Sequence, residues 1–144
     1  PEERTEPVSH LDIMPTVLQL LGLPAHPAFQ GRRFASASRS PGEEEPPAVL
    51  MNIQGLRFAD AIVCWPYKLI LDRTGETQLL FDLARDPAEA NNIIEQHPEI
   101  TTRLADSLKR QLLAQLDYHS ENAADLRRRR YQPRLRRCPR LPKK

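Results

Sequence analysis

The chain has 144 residues, of which 40% are apolar, enough for one domain with one modest core. Its formal charge of +2 hides a division: up to Leu126 there are 11 basic and 19 acidic residues, net −8, whereas Arg127 to Lys144 holds ten Lys or Arg and no acid. No apolar run reaches bilayer-spanning length, and no signal peptide is visible. Cys64 and Cys138, the two cysteines, make no disulfide framework and leave the redox compartment open. Because the chain begins at Pro1 without a methionine, it is expected to be the C-terminal piece of something longer.

Residues 1–8 are charged, flanked by proline and without apolar period, and are expected to form an exposed entry loop. A short helix over 12–21 follows. Asp12 is placed to cap it by accepting the Met14 N–H, and Pro15 costs little in the first turn. Ile13, Val17, Leu20 and Leu21 form one apolar stripe that needs a cover. Gly22 supplies a left-handed stop and Pro24 prevents continuation. Pro24 to Phe34 is irregular. Ala35 to Pro47 is low in complexity, which predicts a flexible linker.

The runs 48–53 and 58–65 read as strands. A hairpin follows, Tyr67 to Asp72 and Thr77 to Asp82 around the turn Arg73 to Glu76. One hairpin alone is marginal, so a three- or four-stranded antiparallel sheet is expected. Asp86 to Asn92 is turn chemistry. Pro98 opens a long helix over 98–118, where Ile100, Leu104, Leu108, Leu112 and Leu116, beside Leu113, form a stripe that should lie across the sheet. Residues 119–144 are expected to be a basic tail, largely disordered. The fold class is therefore α+β, a small sheet packed by a long C-terminal helix and preceded by one short helix.

Three stretches in order resemble the C-terminal region of sulfatases, in the alkaline phosphatase superfamily. The first contains Ser9, His10, Asp12, Pro15, Thr16, Gly22 and Pro24, then Gly31. The second is Tyr67-Lys68-Leu69-Ile70. The third is Leu80-Phe81-Asp82-Leu83 with Asp86, Pro87, Glu89 and Asn92. Arg33-Phe34 stands where Ser-Leu is common, Phe81 stands for Tyr, and Ile93 for Leu. The resemblance implies that 1–34 ends a catalytic α/β domain, to which the short helix belongs, and that 48–118 forms a smaller C-terminal subdomain. It implies a parent that hydrolyses sulfate esters through a formylglycine within Cys-x-Pro-x-Arg and a divalent cation, calcium by family pattern. An exported or periplasmic location goes with it. All of that chemistry lies upstream in the family pattern, so the chain is expected to hold no catalytic, substrate-binding or metal-binding residue. Its partner would be the upstream catalytic domain.

Other readings of the same residues are weaker. Cys64-Trp65-Pro66-Tyr67-Lys68 mimics the nucleophile motif but lies between strands, with Lys in place of Arg, and reads as a buried strand cysteine. His10 and Asp12 are two potential ligands where a metal needs three or four, and His26, His97 and His119 lie elsewhere. Asp82, Asp86 and Glu89 beside Pro87 read as turn formers rather than an acid–base pair. Within the superfamily, a phosphodiesterase, phosphonate hydrolase or phosphoethanolamine transferase is the sister reading. The rival class is a non-enzymatic α+β module whose arginine-rich arm, 127–144, binds nucleic acid or anionic membrane.

Overall fold

The computed structural model describes residues 8–24, 29, 31, 49–53, 58–74, 76–120 and 138–142, with the backbone alone for 49–53 and 115–120. The entry loop 1–7, the signature residues 32–34, the linker 35–47 and the arginine-rich stretch 127–137 lie outside the described residues. The chain divides into two compact units. Of the described residues, one unit holds 8–24, 29, 31 and 115–120; the other holds the sheet, the long helix through Ala114 and residues 138–142.

In the first unit, a 3-10 turn, His10–Asp12, leads into helix α1, Ile13–Leu20. The true cap is Ser9, not Asp12. Ser9 Oγ accepts the Leu11 N–H at 3.4 Å, while Asp12 reaches back to accept the Ser9 N–H at 2.9 Å, a reciprocal capping box. The extra turn shifts the start by three residues, so Asp12 gives α1 no side-chain cap. The stop matches the sequence signal. Gly22 has φ +69°, the Leu23 N–H reaches Leu18 O at 2.8 Å and the Gly22 N–H reaches Gln19 O at 3.0 Å, which is a Schellman ending.

The second unit is an antiparallel meander of four strands in the order β1 (Val49–Ile53), β2 (Ala59–Cys64), β3 (Tyr67–Asp72), β4 (Gln78–Asp82). The expected hairpin is β3–β4, with Tyr67 opposite Asp82 and Leu69 opposite Leu80. β2 and β3 meet through the tight turn Trp65–Pro66, whose peptide is cis, so that Cys64 pairs with Tyr67 and Ile62 with Leu69. Asp60, a poor strand former, is held in β2 by a two-pronged ion pair in which Arg73 Nε donates to Oδ2 at 2.9 Å and Nη2 to Oδ1 at 3.0 Å.

Helix α2, Pro98–Ser120, lies over one sheet face. Ile62, Cys64, Tyr67, Leu69 and Leu80 from the sheet pack with Ile100, Leu104 and Leu108 from the helix. Leu112 packs at the margin, but Leu113 is 52% exposed. The buried line runs instead through Ser107 and Gln111, whose side chains hydrogen-bond to each other at 3.1 Å. Positions 100, 104, 107, 108 and 111 follow a period near 3.6, which carries the seam to Gln111 and turns Leu113 outward. No helix among the described residues is long and apolar enough to cross a membrane.

One sequence expectation is corrected outright. Cys64 is not a free strand thiol: it forms a disulfide with Cys138, 74 positions away, at a Cα separation of 5.6 Å. Of the expected basic tail, residues 138–142 lie against the sheet–helix core, with Cys138 inside the apolar cluster and Leu141 packed on it. Arg103 Nη1 donates to the Arg140 carbonyl at 2.6 Å. The local composition of this segment is polar and proline-rich, so only its distant partners reveal that it is anchored.

Candidate functional site

The signature residues gather in two places, and both are built from hydrogen bonds that shape backbone. At the η-turn and α1, Asp12 is buried, receives the Ser9 N–H, and offers its own carbonyl to Thr16 Oγ1 at 2.7 Å. Gly31 lies directly on the Leu11–Asp12 peptide: an added Cβ would overlap the Leu11 carbonyl and sit 2.7 Å from Asp12 N. Only glycine allows that approach. Pro15 is buried and His10 exposed, and Gly22 provides the left-handed stop already described.

The second group is the loop after β4. Asp82 opens it, its carboxylate taking the Ala84 N–H at 3.2 Å and its carbonyl the Asp86 N–H at 2.8 Å. Asp86, held next to Pro87, accepts the Ala90 N–H at 3.2 Å and the Asn91 N–H at 2.8 Å, four and five residues on, and so closes the loop. Its carbonyl takes the Glu89 N–H at 3.1 Å. This winding places Glu89 at φ +56°, in the left-handed region, where its carboxylate meets Lys68 Nζ with both oxygens at 2.7 Å. The pair is partly withdrawn from water, with side-chain exposures of 14% for Lys68 and 31% for Glu89. Tyr67, beside it in sequence, is buried in the core with its ring 6.2 Å from that of His97.

Asn92 then closes the sheet. β4 is an outer strand whose free backbone groups need partners. Asn92 Oδ1 accepts the Leu80 N–H at 2.9 Å and the Ile94 N–H at 3.2 Å, its Nδ2 donates to Gln78 O at 3.2 Å, and the Ile93 N–H donates to Leu80 O at 2.9 Å. The signature from Asp82 to Asn92 is thus a clamp that folds back along the edge of β4.

In both groups the described carboxylates of Asp12, Asp82, Asp86 and Glu89 are engaged by donors of the chain itself. Cys64 is 1% exposed and bonded to Cys138, and Lys68 is engaged by Glu89, so the mimic of the nucleophile motif offers no thiolate. Among the described residues no group of three or more His, Cys, Asp or Glu side chains is placed to hold a metal ion. Asp82, Asp86 and Glu89 spend their oxygens on backbone N–H groups or on Lys68, a donor set that does not fit a divalent cation. Arg73 is held above its ordinary pKa by its hydrogen bond to Asp60 and then by that carboxylate's charge; it is a structural ion pair. Sequence reasoning missed the Asp60–Arg73 pair and the disulfide. The lone acid in an apolar strand was the available signal for the former.

The four-stranded meander, its edge clamp and the long helix through Ala114 form one unit, and the glycine-packed turn lies in the other. The chain is a sulfatase-family segment. It is 30% identical to arylsulfatase K of Rattus norvegicus over 129 residues, covering 81% of this chain and 22% of that protein. It is 29% identical to arylsulfatase K of Bos taurus over 114 residues, covering 71% of this chain and 21% of that protein. The chain therefore spans about a fifth of the length of the curated relatives it matches. Among solved structures, a 2-O GAG sulfatase shares the fold at a TM-score of 0.54 and 23% identity, over 87% of this chain and 28% of that one. No family model matches the chain.

Proposed function

We propose that this chain is the C-terminal part of a sulfatase-type sulfuric ester hydrolase, in which it acts as scaffold while upstream residues perform the chemistry. The observation that carries this reading is the match to arylsulfatase K over most of this chain and only about a fifth of that enzyme, combined with signature residues such as Asp12, Asp82, Asp86 and Asn92 whose side chains bond to backbone. In this reading residues 1–34 end the catalytic domain and 48–118 form its C-terminal subdomain, with one wall of the substrate cleft as the nearest approach to substrate. The divalent cation and the sulfate ester belong to the upstream domain. An exported or periplasmic setting suits a chain with a buried disulfide. The comparisons lend no support to a nucleic-acid or membrane partner.

The test has two parts. Residues 1–144 alone are expected to release no sulfate from an aryl sulfate, and turnover by the purified chain would overturn the assignment of the active site to upstream residues. The coding sequence ahead of Pro1 is expected to hold an Asp-Asp pair and Cys-x-Pro-x-Arg in frame. A threonine nucleophile there would move the parent to the phosphoryl-transfer branch.

A further inference from the structure

We infer that Trp65 and Arg85 form a contact site for a sulfated saccharide, at the end of the sheet where the β2–β3 turn meets the loop after β4. The inference rests on the proposed sulfatase role and gives the wall of the cleft its residues. The two loops are neighbours held by backbone: the Leu83 N–H donates to the Pro66 carbonyl at 2.8 Å, and Tyr67 pairs with Asp82 one step further into the sheet. Trp65 is 42% exposed in its turn, and among the described residues nothing accepts its indole N–H. Arg85 carries its guanidinium into solvent, with 77% of the side chain exposed, and its ion pair with Asp82 spans 3.9 Å, too long for a hydrogen bond. The carboxylates of the same loop are already engaged: Asp82 by Ala84, Asp86 by Ala90 and Asn91, and Glu89 by Lys68. Arg85 therefore keeps its donors for a ligand.

The two side chains divide the recognition between them. An exposed indole stacks on the C–H face of a pyranose ring and offers its N–H to a hydroxyl, so one rigid side chain supplies both apolar area and a polar handle. A guanidinium grips two oxygens of a sulfate monoester in a charge-assisted, two-pronged contact. A neutral sugar uses only the first and an inorganic anion only the second. The ligand that uses both carries a ring and a sulfate together. Because the loops are pinned by the sheet and by the Leu83–Pro66 hydrogen bond, their ordering belongs to folding rather than to binding.

Trp65 is the only tryptophan of the chain, so the tryptophan emission of residues 1–144 reads this site directly. The probe is sulfated maltotetraose, with maltotetraose and sodium sulfate as its counterparts. Sulfated maltotetraose is expected to change the Trp65 emission saturably, and neither counterpart to do so at about tenfold higher concentration. Arg85→Gln removes an exposed side chain with one weak ion pair, so its circular dichroism spectrum is expected to stay unchanged. Its half-saturating concentration should rise about tenfold, as loss of a charged hydrogen bond requires. A chain combining Arg127→Gln, Arg128→Gln, Arg129→Gln and Arg130→Gln is expected to respond like the original; loss of the response there would overturn the inference, since the arginine run would then be the site. No saturable change, an equal response to maltotetraose or to sulfate, or unaltered half-saturation in Arg85→Gln would overturn it too. These titrations are independent of the upstream nucleophile: a threonine there strikes the sulfatase role, whereas a failed titration beside an intact Cys-x-Pro-x-Arg strikes this site alone.

Discussion

Asn92 does more for the fold than its place in a polar loop suggests. Its amide serves Leu80, Ile94 and Gln78 at once, standing in for the neighbour that β4 lacks. Replacing it with alanine leaves the Leu80 N–H without this acceptor at a strand edge next to the core. Asn92→Ala is expected to destabilise the chain by about 1–3 kcal/mol, read as a lower urea midpoint with an unchanged slope. Lys68 and Glu89 show a related economy, since the left-handed turn at Glu89 delivers a carboxylate to an amine that β3 half buries. Gly31 illustrates the opposite constraint: it is required for what it lacks, because any side chain would collide with the Leu11–Asp12 peptide. These residues are recognisable in the sequence as a signature, but their individual roles are not, because each role is a contact with a residue that lies at a distance in the chain.

At the scale of elements, α2 shows how a repeat is read correctly and extended too far. Ile100, Leu104 and Leu108 do face the sheet, as a four-residue spacing predicts. The spacing drifts from the helical period, and Ser107 and Gln111 complete the seam in place of Leu113. Leu104→Ala is therefore expected to cost about 2–5 kcal/mol, whereas Leu113→Ala should stay within about 0.5 kcal/mol; thermal melts of the two variants distinguish the faces. Equal losses would place Leu113 in the core. The strands were legible because β-prone runs end at Pro66, at the turn Arg73–Glu76 and at Asp82, and each such end is a local event. Helix α1 was legible for the same reason at its C-terminus, where Gly22 and Pro24 write the stop. Its N-terminus was less so, because a 3-10 turn and a helix share the same capping chemistry and Ser9 and Asp12 both qualify.

For the whole molecule, the apolar stripe of α1 is the exposed surface with the clearest consequence. Ile13, Val17, Leu20 and Leu21 are 48, 40, 75 and 66% exposed, and Val8, Leu11, Met14 and Leu23 add to them. Contiguous apolar surface of this kind drives association. Residues 1–144 are expected to self-associate with rising concentration in sedimentation velocity, and Leu20→Glu with Leu21→Glu should shift them back toward the monomer. Monomeric behaviour of the unaltered chain at all concentrations would contradict this. The sequence alone determined the α+β class, the hairpin, the long helix and the sulfatase resemblance, since these rest on periodicity, turn residues and short motifs, all local in the chain. Tertiary structure alone decided that Cys64 meets Cys138, that Arg73 neutralises Asp60, and that the loop from Asp82 to Asn92 is an edge clamp rather than a set of acids. Those pairings join residues 74, 13 and about a dozen positions apart, and only a folded chain brings such partners within bonding distance.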